Sequence, residues 1–244
     1  MASMYKDILK KILYTPFTLV ISYLDKKQFK TVTKDFTTTD IFTHYTMPYI
    51  PQRNAKSWRS FGWAKRSDYD FLSVRICAIA CLSMIIRAVT KQKPTLKTLT
   101  EKGLVLSGYT LYNQQGKFVD QGWFHHPLIQ LADEYGLLGI TKKYISPERA
   151  CLELLAGKLV ILSGDAYTFG AGQKRPKNVP FSSHQVVLVG FRQAHGVLTG
   201  MYYHNPSGEG RALTQNAYLP IEIFRSGFNF RALVFRRKTN LIQK

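Results

Sequence analysis

The sequence predicts an α+β fold in which one apolar helix packs on an antiparallel sheet, and three observations carry that expectation. The stretch RICAIACLSMIIRAV is apolar at helical spacing over about residues 74–89, with Ile76, Cys77, Ala80, Met84 and Ala88 able to share a buried face. Farther on, HQVVLVGF and GVLTGMYYHNPSG are apolar runs joined by a short turn, as in a pair of antiparallel strands. Finally, 244 residues of which 45% are hydrophobic can bury a sizeable core without disulfides or metal.

Lys and Arg number 34 against 15 acidic residues, a formal charge of +19 that favours anionic partners such as nucleic acid, lipid headgroups or anionic polymers. Zinc-finger spacing, an RNA-binding aromatic signature and a long arginine tail are all absent from the sequence. The basic tracts KKQFK, KQKP and FRRKTNLIQK therefore read as solvated surface, and sequence-specific nucleic-acid binding is not expected. Three cysteines, Cys77, Cys81 and Cys151, cannot complete a disulfide framework, which fits a reducing compartment or a reactive thiol. No His or Cys spacing suggests a metal site, and no cofactor is expected.

Taken in order, residues 4–14 suit a short amphipathic helix stopped before Pro16, and FTLVISYL suits a strand. Thr15, Pro16, Thr18 and Ser22 interrupt this region, so a buried helix-strand start is favoured over a signal or membrane-surface segment. Peripheral membrane contact through this segment stays open; a cytoplasmic location is favoured, with secretion by an atypical signal not set aside. KTVTKDFTTTDIFTHY reads as an edge strand or irregular wall, and the aromatic segment MPYIPQRNAKSWRSFGWAKRSDYDF as a wall of a cleft. Asp70 or Ser73 can cap the central helix.

A helix from about Pro94 to Glu101 should stop at Gly103. A turn-rich excursion then leads to a helix preceded by His125 and His126, which read as capping or surface residues. Ser146 can cap a helix that opens on Pro147, holds Cys151 in the core and ends at Gly157 before the strand LVILSG. GDAYTFGAGQKRPKNVPFSS reads as a mobile loop over a site, where Arg175 and the lysines could select an acidic substrate.

The chemistry lies in three of these elements. Near a helix N-terminus, free backbone N–H groups and the helix dipole favour a thiolate, which makes Cys77 the candidate nucleophile with a lowered thiol pKa; Cys81, one turn deeper, reads as packing. His184 begins one strand and Asn205 ends the next, neighbouring ends of an antiparallel pair where the asparagine can orient the imidazole.

These motifs resemble the papain-like cysteine peptidase superfamily, especially bacterial peptidases that remove double-glycine leaders from bacteriocins. The family's nucleophile opens a CGPT/S…LAM-like helix, matched by CAIACLSMII with Cys77 as nucleophile and Leu82 and Met84 at the apolar positions. HQVVLVGF is similar to the strand that carries the family's catalytic histidine, and YYHNPSG to its Asp-Pro or Asn-Pro segment. MPYIPQ resembles the segment that holds an oxyanion-stabilising glutamine, which implies Gln52. Ala78 and Ile79 stand where the family has Gly-Pro, and residues 53–76 fill what is usually a short interval.

The resemblance implies a papain-like domain over 47–244 with residues 1–46 as an extension packed on it. It implies a cysteine peptidase or related amide hydrolase that uses Cys77, His184, Asn205 and Gln52, without a cofactor, on a peptide or peptide-containing polymer that can be anionic. The alternative is a degenerate relative that keeps the scaffold and binds an anionic partner through its basic surface.

Overall fold

The computed structural model describes residues 19–90, 92–110, 112, 115–117, 120–207 and 213–238. The chain opens with helix α1 (19–33) and strand β1 (Thr39–Phe42), followed by a 3-10 turn at Trp58–Phe61 and helices α2 (Arg66–Ser73), α3 (Cys77–Val89), α4 (Leu96–Val105) and α5 (His125–Glu134). Then come β2 (Leu137–Lys143), α6 (Pro147–Leu155), β3 (Leu159–Asp165), α7 (Ala166–Ala171), β4 (Ser183–Ala194), β5 (Val197–His204), β6 (Ala217–Pro220), α8 (Ile221–Gly227) and β7 (Phe228–Arg237). The strands form one antiparallel sheet in the order β2-β7-β3-β4-β5-β6. β1 pairs with β4 beyond the end of β3, so Thr39–Phe42 of the Thr-rich segment form an edge piece, whereas residues 30–33 of that segment belong to α1.

Side-chain alternation along the strands splits the interior in two. Ile161, Val187 and Val189 face the layer of α3, α4 and α5, whereas Val160, Leu162, Val186 and Leu188 face α6, α7 and α8. β3 is buried along its whole length, which explains why LVIL is a continuous apolar run. α3 is apolar nearly all round because it is enclosed nearly all round: Ala78 through Ile86 are buried. The α+β arrangement of a central helix on an antiparallel sheet is thus the one the sequence predicts.

Several local expectations are corrected. The strand expected in FTLVISYL is helical in its described part; Asp25, Phe29 and Thr33, four residues apart, turn inward from α1. Phe29 meets Phe191 edge-on with ring centroids 5.5 Å apart, and Asp25 accepts a 2.7 Å hydrogen bond from the Ser146 hydroxyl, contacts that a sequence window cannot weigh. The helix expected at 4–14 lies outside the described residues. α3 begins at Cys77 rather than residue 74, with Ile76 preceding it and no side-chain cap; Asp70 and Ser73 belong to α2.

Gly103 does not stop α4, which runs on to Val105. Its missing side chain admits Trp123, whose ring a Cβ would meet at 2.6 Å. The supposed mobile loop after Asp165 starts as α7, whose first turn Asp165 caps by accepting from the Thr168 N–H at 3.1 Å. The other expected punctuation is present: Ser146 accepts from Arg149 N at 3.0 Å, Pro147 opens α6, and Gly157 follows with φ +74. Among the described residues no single helix is long and apolar enough to cross a membrane.

Candidate active site

The site forms where the first turn of α3 meets the start of β4. β4 pairs with β3 from Ser183, but with β5 only from Val187, so its first residues leave one edge free for the helix. Cys81 donates its thiol proton to the Gln185 carbonyl across that edge at 3.4 Å and is wholly buried, as its packing role suggests. Cys77, one turn nearer the helix start, is partly exposed and lines a cavity of about 580 Å³ together with Gln52, His184 and Ser207.

Burial pushes the Cys77 thiol above its ordinary pKa, outweighing the backbone N–H groups of Gln185, Ala78 and Cys77 itself, which favour the thiolate. This reverses the lowered value expected from the helix N-terminus alone: desolvation of the thiolate exceeds what the free N–H groups return. Burial raises Cys81 and Cys151 well above their ordinary values too, and neither lines the cleft.

His184 stands at the second position of β4 and is 6% exposed. Its Nε2 lies 2.7 Å from Asn205 Oδ1 at the end of β5, so the two strand ends meet as their spacing suggests. The Asn205 amide is fixed by its surroundings. Nδ2 donates to the carbonyls of Phe169 at 3.1 Å and Leu213 at 2.9 Å, while Oδ1 also accepts from Ser207 N at 3.0 Å. With Oδ1 turned to the ring as acceptor, Nε2 is the donor of that hydrogen bond. Ser207 Oγ lies 3.2 Å from Nε2 and shields the bond on the cavity side.

Gln52 is brought to the same cavity from the segment before α2, its N–H donating to the Pro206 carbonyl at 2.7 Å. Gln52 is 7% exposed, and among the described residues its Oε1 is buried without a hydrogen-bond partner. Cys77, His184 and Gln52 thus line one cavity, with Asn205 behind the histidine. Ala78 is buried and also lines the cavity, whereas Ile79 belongs to the core.

His125 is the first residue of α5 and sits 3.3 Å from Ser163 Oγ, away from the cleft; burial lowers its pKa. Arg175, expected to meet an acidic substrate, approaches Asp165 at 3.5 Å. Phe181, Ser182 and Ser183, at the end of the same connection, line the cavity. Among the described residues no group of three metal-ligating side chains comes together.

Two parts of the site are only weakly marked in the sequence. Ser207 follows the Asn-Pro pair directly, and that adjacency was its signal. The other is the cluster of Arg75, Tyr109, Asp120 and Trp123 on the cavity wall. Its signal was the density of aromatic and turn residues in GYTLYNQQGKFVDQGW.

The Peptidase_C39 like family matches residues 44–232. Among solved structures, the chain is similar to a protein from Bacillus anthracis assigned as a C39-like peptidase, at 14% identity with a TM-score of 0.54, covering 82% of this chain and 99% of that one. It is also similar to a double glycine motif protease from an AMS/PCAT transporter, solved with the leader peptide, at 17% identity and TM-score 0.45, with coverage of 82% and 99%. A comparison with curated proteins finds no match.

Proposed function

From the premise that the chain belongs to the Peptidase_C39 like family, a family of cysteine peptidases on a papain-like α+β fold, we propose that it cleaves amide bonds of peptides through Cys77, His184 and Asn205. The observation that carries this reading is the 2.7 Å bond from His184 Nε2 to Asn205 Oδ1 beside a cavity that His184 shares with Cys77. In that bond Nε2 is the donor, and Nδ1 is the nitrogen proposed to take the Cys77 proton.

In the proposed reaction, His184 Nδ1 takes the Cys77 proton as sulfur attacks the scissile carbonyl carbon, forming a C–S bond and an oxyanion. The raised thiol pKa fits a proton that leaves only when the imidazole receives it. The backbone N–H groups at the start of α3 and the Gln52 amide are proposed to stabilise the oxyanion. Collapse breaks the C–N bond, with His184 protonating the departing amine. Water, deprotonated by His184, then attacks the acyl carbon and releases Cys77.

The proposed substrate class is a peptide or peptide-containing polymer, and the +19 charge supports an anionic one. The proposed division into an extension at 1–46 and a peptidase domain at 47–244 is supported by the start of the family match at residue 44. β1, however, extends the same sheet from within the extension.

Cleavage of a mixed peptide library, read by mass spectrometry, should vanish in Cys77→Ala and His184→Ala. In Gln52→Ala, kcat should fall by about a hundredfold with little change in ground-state binding. Full cleavage by Cys77→Ala would refute the mechanism, and inactivity of the unaltered protein across a broad panel would favour a binding protein on this scaffold.

A further inference from the structure

A second, apolar chamber adjoins the cleft. It has a volume of about 490 Å³, and Phe71, Leu72 and Ile76 line one side while Leu104, at the end of α4, lines another. Arg75, Tyr109 and Trp123 line both the chamber and the cleft, so they form the partition between them.

Hydrogen bonds connect the residues of the partition. Arg75 Nε donates to Asp120 Oδ2 at 3.0 Å, the Tyr109 hydroxyl donates to Asp120 Oδ1, and Trp123 Nε1 donates to the Arg75 carbonyl at 2.9 Å. The Tyr109 and Trp123 rings meet edge-on with centroids 5.4 Å apart, and the Arg75 guanidinium lies 4.4 Å from the centroid of Phe71. Because these polar groups engage one another, the partition offers a ligand mainly apolar surface.

Phe71 and Leu104 remain 44% and 40% exposed, although both converge on the chamber. Exposed large apolar side chains gathered around a concavity of this size are the usual lining of a ligand pocket. α2, which supplies Phe71 and Leu72, is built from the long interval between Gln52 and Cys77, and Arg75 stands two residues before the proposed nucleophile. The chamber therefore lies beside the cleft that holds Cys77, with Arg75, Tyr109 and Trp123 common to both linings.

We infer that the chamber is a specificity pocket that takes a bulky aliphatic or aromatic side chain of the peptide substrate, from a residue near the amide presented to Cys77. This rests on the reading of the cleft as an amide-cleaving site. Burying such a side chain in place of alanine should improve binding or kcat/KM about tenfold or more.

The test uses acetylated peptide amides that differ at single positions, with binding to full-length Cys77→Ala followed by calorimetry and cleavage by the unaltered protein followed by mass spectrometry. At one position Leu or Phe should exceed Ala and Asp by about tenfold, and Phe71→Ser and Leu104→Asp should each erase that preference. Either variant suffices if thermal unfolding shows that the other is not folded. Binding selectivity without cleavage would support the pocket while refuting the hydrolase. Cleavage without selectivity, or selectivity untouched by both variants, would overturn the pocket and leave the hydrolase standing; absence of both binding and cleavage would overturn both. Tighter binding of a fatty-acyl amide than of any peptide would overturn the peptide as occupant.

Discussion

Asn205→Asp looks conservative for a residue that holds a catalytic histidine, and the structure predicts that here it is not. Asn205 is fully buried, and its Nδ2 donates to the carbonyls of Phe169 and Leu213 at 3.1 and 2.9 Å. An aspartate keeps an oxygen for His184 but turns its second oxygen toward two carbonyl oxygens. The Phe169 carbonyl retains the Tyr203 hydroxyl at 2.8 Å. The loss is thus two hydrogen bonds of about 1 kcal/mol each together with repulsion at the buried oxygens, in all about 3 kcal/mol.

For a chain of this length that corresponds to a fall in Tm of roughly 6–12 °C at pH 7. Protonation restores one donor, so the introduced carboxyl should have a higher pKa folded than its unfolded value of about 3.9. The folded state then binds more protons between those values, and the deficit is smallest below about pH 3.9 and grows as pH rises through the folded pKa. Thermal unfolding of both proteins followed by circular dichroism at pH 4 and pH 7 measures it. Equal midpoints at pH 7 would refute the assigned orientation of the amide, and with it the assignment of the Nε2 proton.

Two further outcomes follow from the same geometry. With burial raising the Cys77 thiol and no imidazole to take its proton, His184→Ala should leave Cys77 almost entirely protonated at pH 7. Peptide mapping after iodoacetamide treatment should show its Cys77 labelling slowed by about a hundredfold and still climbing tenfold per pH unit at pH 8, whereas equal rates in the two proteins would separate Cys77 from His184. Ser207→Ala should shift the pH profile of Cys77 labelling, because a hydroxyl 3.2 Å from Nε2 helps hold the imidazolium, and Ser207→Thr should restore it; matching profiles in all three proteins would reduce Ser207 to packing.

The legible parts of the fold were those with local causes. The hairpin that joins His184 to Asn205 shows in sequence as two β-rich runs around His195-Gly196, both at positive φ, so the distance between the two site residues follows from strand geometry. The Cys77 helix shows through its apolar period, and α6 through Ser146, Pro147 and Gly157. What stayed hidden depends on distant partners. β-rich composition in residues 17–24 points to a strand, yet Phe29 packing on Phe191 favours a helix. β2 and β7 pair across most of a hundred residues, and their partnership leaves no local mark.

The same distinction runs through the site. A helix N-terminus is visible at Cys77, but the burial that raises its thiol is a property of the assembled cleft. The Arg75–Asp120 pair joins residues 45 positions apart, so neither residue marks the wall in sequence.

The central claim is that the Cys77 sulfur, activated by His184, forms the acyl-enzyme. Intact mass spectrometry of the full chain, acid-quenched during turnover of a cleavable peptide ester and followed by peptide mapping, tests it most directly. The account predicts one acyl adduct per chain, located on Cys77 in the unaltered protein and absent from Cys77→Ala and His184→Ala. An adduct on Cys81 or Cys151, or turnover that continues in Cys77→Ala, would contradict it.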